Sequence, residues 1–346
     1  MRVRRQGTHD RARLPEETVA MLAFLLAAAA ATAQTVPTDY QAGHFYATPR
    51  TADGQALRLL VDTGGGGAAG MYWITAKAAE RLRLATSPCE ADASLHVVPA
   101  PTFAAGQSLP PPDGPCGASV MVNKLPYDLD GQLGAAYLGT RTWTFDYPAR
   151  RLIAAGEGWK PAAGAHSAPL GFRRSTGPGL DLYFPRIVAR IDGQPIDFLL
   201  DTGATAHPTA AGKQASGTET VHGEGVTSYI TTGQLERWHA AHPDWRVIEN
   251  GDDLGGPGHP SRLIEVPALA IAGWRVGPVW FTERPDSAFH QYMAQMMDRP
   301  TEGALGGNVF RSFRMTLDYP KATAWFVCVR DCQAARPSEP QRSPGR

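Results

Sequence analysis

The sequence predicts a mostly β fold built twice, with a few short helices. Three observations carry that expectation. Four blocks of sequence recur in the same order along the chain. Each copy opens with a short apolar run bounded by turn residues, the pattern of a β-strand entering from a hairpin. Gly and Pro are abundant, at 37 and 29 of 346 residues, as a turn-rich chain requires. A chain of this length is too long for one small domain and suits two.

From the N-terminus, Arg2, Arg4, Arg5, Arg11 and Arg13 precede an apolar run from Val19 to Ala31, which closes in Ala31-Thr32-Ala33. Basic residues, an apolar stretch and a small-x-small site describe an export signal, with residues 1–33 removed. The apolar run falls short of the ~20 residues that a membrane-spanning helix needs. The competing reading is a short buried helix, and Glu16 and Glu17 sit awkwardly for a signal. The expected location is therefore outside the cytoplasm, periplasmic or secreted.

The repeat comes next. Asp53-Gly54-Gln55, then Leu59-Leu60-Val61-Asp62-Thr63-Gly64, returns as Asp192-Gly193-Gln194, then Phe198-Leu199-Leu200-Asp201-Thr202-Gly203. Ile74-Thr75 with Glu80-Arg81 returns as Ile230-Thr231 with Glu236-Arg237. Asp130-Gly131-Gln132-Leu133-Gly134 returns as Glu302-Gly303-Ala304-Leu305-Gly306, and Thr144-Phe145-Asp146-Tyr147-Pro148 as Thr316-Leu317-Asp318-Tyr319-Pro320. The spacing from Gly54 to Asp62 equals that from Gly193 to Asp201, and the spacing from Gly131 to Asp146 equals that from Gly303 to Asp318. Shared order and spacing mark an internal duplication, with halves at 40–160 and 166–330 and a linker at Pro161–Ala168. The second half carries two extra polar, Gly-rich stretches, Gly212–Gly225 and Asn250–Gly258, which read as surface loops.

Within each half, Leu57–Val61 and Ile196–Leu200 read as strands that deliver an Asp into a tight turn. Ala76–Leu84 and Gly233–His242 read as short helices. Each Asp-Tyr-Pro block reads as a strand and turn, with Arg151–Ile153 and Ala324–Val327 as return strands. Ile264–Phe281, with Trp274 and Trp280, reads as core. The segment 333–346, rich in Pro, Arg and Ser, reads as a disordered tail. Four cysteines allow three disulfide pairings. The simplest joins Cys89 to Cys116 and Cys328 to Cys332, while the spacing fits no zinc site.

Charge excludes one class of partner. The 33 Lys+Arg balance 33 Asp+Glu, so no basic field for nucleic acid exists. Gly64–Gly67 lacks the Lys and Ser/Thr of a phosphate loop. His239 and His242 have no third metal ligand. No metal, cofactor or membrane span is expected.

Two Asp-Thr-Gly motifs, each followed by an apolar-Gly motif (Leu133-Gly134, Leu305-Gly306), resemble the pepsin/retropepsin-like aspartic proteases, and the Asp-Tyr-Pro pattern is similar to their exported bacterial members. The resemblance covers nearly the whole chain beyond residue 33. It implies a two-lobed acid-protease fold with Asp62 and Asp201 facing each other in the cleft. Thr63, Gly64, Thr202 and Gly203 would support them. It implies an endopeptidase that takes a peptide or protein in extended form, with water as nucleophile. One chain supplies both carboxylates, so a monomer suffices. The alternative is a peptide-binding protein of the same fold with little or no activity. One position departs from the pattern. Gly65 and Ala204 stand where pepsin-like enzymes carry a Ser or Thr that donates to the carboxylate, so a less acidic dyad and a mildly acidic optimum are expected. A flap over the cleft is expected near Cys89–His96 or Gly251–Arg262.

Overall fold

The computed structural model describes residues 32–67, 70–124, 127–174, 181–256 and 258–335. The expected export segment lies almost wholly outside the described residues. So does the tail beyond residue 335.

Strand is the main regular structure of the described residues, arranged in three large sheets. The first half forms an eight-stranded sheet. Its centre is the strand Leu59–Asp62, which runs parallel to Gly131–Gly134. Trp73–Thr75 lies on the other side of Gly131–Gly134, antiparallel to it. The second half repeats this arrangement. Gln194–Leu200 runs parallel to Gly303–Leu305, and Ser228–Thr231 pairs antiparallel with the latter. The turn that opens the second motif has Asp192 at φ 50° and Gly193 at φ 73°. Two successive left-handed residues make the hairpin turn whose twist matches its strands, while in the first copy only Gly54, at φ 88°, is left-handed.

The Ile-Thr blocks have a local cause. Thr75 and Thr231 each end a strand and cap a helix, at Ala76–Arg81 and Thr232–Ala241. Their hydroxyls accept from Ala78 N at 3.1 Å and from Gln234 N at 3.4 Å. Capping satisfies a backbone N–H that has no partner inside the helix.

The third sheet has six strands and draws on both halves. Thr142–Asp146 pairs antiparallel with Phe313–Asp318, so the two Asp-Tyr-Pro blocks meet each other. Thr144 lies opposite its own counterpart Thr316, and their hydroxyls are 2.8 Å apart. The return strands Arg151–Ala154 and Thr323–Cys328 flank this pair. One continuous apolar core lies beneath, with Phe45, Trp143, Phe145 and Tyr147 from the first half and Phe310, Phe313 and Phe326 from the second. The Tyr147 and Phe310 rings, 6.1 Å apart, join the halves. Phe281 is fully buried and Trp280 nearly so, as expected of core.

The stretches read as surface loops are partly regular, since Gly212–Ser216 completes the helix Ala210–Ser216 and Asn250–Asp252 ends the strand Val247–Asp252. Two boundaries differ as well. His166–Pro169, read as linker, is a strand paired with Thr323–Phe326. The His166 ring stacks on Trp274 at 4.4 Å, which holds the segment down. The expected tail begins with a strand, since Gln333 and Ala334 pair with Arg275 and Trp274. Backbone pairing with an open sheet edge needs no apolar side chains, so composition could not show either feature.

The disulfides join Cys89 to Cys116 and Cys328 to Cys332. The first closes a separation of 27 residues and packs with Met71 and Val97. By loop-closure entropy, the Cys89→Ala/Cys116→Ala variant is expected to lose about 3 kcal/mol of stability. A urea midpoint unchanged from wild type would contradict this.

Candidate active site

Asp62 ends its strand in the first half and Asp201 follows its strand in the second. The two Asp-Thr-Gly turns lock each other. Thr63 Oγ1 donates to Leu200 O at 2.6 Å and accepts from Thr202 N at 3.0 Å. Thr202 Oγ1 donates to Val61 O at 2.8 Å and accepts from Thr63 N at 3.1 Å. Each hydroxyl therefore makes both of its bonds to the opposite half. Both threonines are fully buried, where an unpaired polar group is costly.

The lock sets the two carboxyls beside each other, because each motif glycine packs against the carboxyl of the opposite half. Gly64 N–H donates to Asp62 Oδ1 at 2.8 Å, and Gly203 N–H to Asp201 Oδ1 at 3.0 Å. The glycines also make room. A Cβ at Gly64 would stand 2.5 Å from Asp201 Cγ, and one at Gly203 would stand 2.3 Å from Asp62 Cγ. All six residues named from the motifs thus gather at one place.

Electrostatics follow from burial. Desolvation pushes the Asp62 carboxyl above its usual range. Desolvation, then the charge of Asp62, pushes Asp201 well above it. Two such carboxyls cannot both ionise easily, so they hold one proton between them over a wide pH range.

Several residues of the site carried no signal in the sequence. Gln132 Nε2 donates to Asp62 Oδ2, and Trp73 Nε1 donates to Gln132 Oε1 at 3.0 Å. The donor absent at Gly65 therefore arrives from a neighbouring strand. At Ala204 no side chain replaces it among the described residues. His44 is buried, and its Nε2 lies 3.2 Å from Ala204 O, supporting the second turn. Burial lowers its pKa to about 4, so the ring is neutral and donates from Nε2.

A cavity of about 460 Å³ beside the site is lined by Tyr46, Leu60, Tyr127, Thr205, His207 and Leu254. Tyr127 packs its ring against Trp73 at 5.1 Å and feels the charge of Asp62. The flap expected near Cys89–His96 does not line this cavity, because Cys89 packs into the Met71 cluster instead. Leu254, within the second expected flap region, does line it. His242 is occupied by Asp192 at 3.0 Å and by stacking on Trp245 at 4.3 Å.

No family model and no curated protein matches the chain. Solved structures similar to it include an aspartic proteinase from Irpex lacteus, 11% identical over 87% of this chain and 98% of that one, with a TM-score of 0.46. Basic 7S globulin from soybean is another, 9% identical over 86% of this chain and 96% of that one, with a TM-score of 0.42.

Proposed function

We propose that the chain is an aspartic endopeptidase and that Asp62 and Asp201 are its catalytic dyad. One observation carries this reading. Two carboxyls from two copies of one motif, Asp201 buried and Asp62 partly buried, meet at the seam between the halves, each packed against the motif glycine of the other half. A structural turn needs no such pairing; burying two acids together is costly, and such perturbed pairs concentrate at functional sites.

The dyad holding one proton contains a base and an acid at once. The ionised carboxylate takes a proton from water as the water oxygen bonds to the peptide carbonyl carbon. The protonated carboxyl gives its proton to the carbonyl oxygen. The tetrahedral adduct then collapses. The dyad's protonated carboxyl gives its proton to the amine nitrogen as the carbon–nitrogen bond breaks, an adduct hydroxyl returns its proton to the ionised carboxylate, and one proton remains on the dyad. Thr63, Gly64, Thr202 and Gly203 hold the two carboxyls at working distance.

The substrate is a peptide or protein in extended form, reached through the cleft beside Tyr127. The chain acts as an exported monomer, periplasmic or secreted. The two disulfides fit an oxidising compartment. No helix among the described residues is long and apolar enough to cross a membrane.

The test incubates the protein with a mixed peptide library between pH 3 and 7, beside Asp62→Asn and with a statine-type inhibitor. Cleavage with a maximum in mildly acidic solution, abolished by either change, is the expected result. Equal cleavage by wild type and Asp62→Asn, or cleavage by neither, removes the enzyme reading and leaves a peptide-binding protein.

A further inference from the structure

The dyad is built from a duplication, yet its surroundings are not symmetric. Gln132 and its counterpart Ala304 occupy the same place in their repeats, as do Trp73 and Tyr229. Each pair forms direct cross-strand neighbours, Trp73 opposite Gln132 and Tyr229 opposite Ala304. In the first half the pair makes a relay. An indole N–H can only donate. Trp73 Nε1 therefore claims the oxygen of the Gln132 amide and turns its NH₂ toward Asp62 Oδ2. In the second half Ala304 has no donor. Tyr229 turns its hydroxyl to Thr205 instead, donating to Thr205 O at 2.6 Å.

The consequence for the two carboxyls is unequal. Both oxygens of Asp62 accept, Oδ1 from Gly64 N–H and Oδ2 from Gln132. No side chain outside the dyad donates to Asp201 among the described residues, where Gly203 N–H is its donor. A donated hydrogen bond favours the ionised form of a carboxyl. An amide NH₂ facing Oδ2 also leaves no room for a proton on that oxygen. Gly65 completes the arrangement, since a Cβ there would stand 2.4 Å from Gln132 Nε2. The glycine that removed one donor opens the path for another. Besides the other member of the dyad, the titratable groups that feel the charge of Asp62 include Tyr127 and Tyr319, and those that feel the charge of Asp201 include Tyr147 and Tyr229. The tyrosines are pushed upward by burial, so none competes for the dyad's proton in acid.

We propose that Gln132, oriented by Trp73, is a positioning residue that fixes the single proton of the dyad on Asp201 and leaves Asp62 as the base. The proposal rests on the dyad reading above, and its test does not need turnover. The full chain, labelled with ¹³C at Asp carboxyls, is titrated by NMR as wild type, Gln132→Met and Trp73→Phe, with Asp62→Asn to assign the dyad signals. Met keeps the length of Gln and removes the donor. Phe leaves Gln132 in place and frees its amide to rotate. The lower dyad step is expected to rise by about 1 pH unit in Gln132→Met and by a smaller amount in Trp73→Phe, where the upper step moves less. If the wild type cleaves peptides, the acidic limb of kcat/KM moves with the lower step. A lower step that stays in place in both variants overturns the proposal, and either variant alone suffices if the other does not fold. A shifted step in a protein that cleaves nothing keeps the positioning role and removes only the peptidase reading.

Discussion

Asp201→Asn is expected to lower peptide cleavage by about a thousandfold or more and to raise the melting temperature at neutral pH. The loss of rate follows from removing one half of a proton-transfer pair, since an amide can neither give up nor take the proton. The gain in stability follows from the raised pKa of both carboxyls in the folded chain. The sign is set by comparing the two states. An unfolded Asp ionises near pH 3.8, while burial holds these two protonated to higher pH. Below pH 3.8 both states are protonated and the dyad costs nothing. As pH rises above that value the unfolded chain ionises freely and the folded chain resists. Stability is therefore lost through the raised native range and stays lost beyond it. Asn carries no such ionisation penalty, so it is expected to raise the melting temperature at pH 7 and to leave it almost unchanged at pH 3. Calorimetry at both values checks this. Equal shifts at pH 3 and pH 7 would show that the carboxyl pair is not the source.

Gly64→Ala is the second large effect. The added methyl would stand 2.5 Å from Asp201 Cγ, against a turn held by four buried hydrogen bonds across the seam. Neither side can yield without breaking that lock. The expected cost is about 1–3 kcal/mol of stability, and displacing a carboxyl by an ångström should lower the rate by about a hundredfold. Gly66, two residues on in the same run, provides the contrast. A Cβ there meets nothing within 4 Å, so Gly66→Ala should behave as wild type in both measurements. If Gly66→Ala proved equally harmful, the run would be needed for flexibility rather than for close approach.

Much of this fold was legible because duplication writes each constraint twice. Asp62 with Asp201, Thr63 with Thr202 and Gly64 with Gly203 could be read as pairs. The geometry places each member against the other half. The Ile-Thr block was visible as a repeat, but its role as a helix cap needed the backbone. Gln132 stayed hidden for the opposite reason. It differs from its counterpart Ala304, so the duplication leaves no mark on it. Its reach to Asp62 depends on strand order, which brings residues 70 positions apart into contact. His44 escaped notice likewise, because its partner Ala204 is 160 residues away. The strand at His166–Pro169 rests on edge pairing, which leaves no compositional mark.

The register at the seam sheet has one more consequence. Thr144 faces Thr316, and its neighbours pair reciprocally about that point: Trp143 faces Leu317, the counterpart of Phe145, while Phe145 faces Met315, the counterpart of Trp143. That is the isologous contact by which two identical subunits form a closed pair. Here the subunits are tethered head to tail, so their sequences are free to drift apart. A true homodimer must place the same residue at both copies of every position. A tethered pair can carry Gln132 on one side and Ala304 on the other, and lengthen the loops of one half alone. Covalent linkage is thus what permits one carboxyl to differ from its twin.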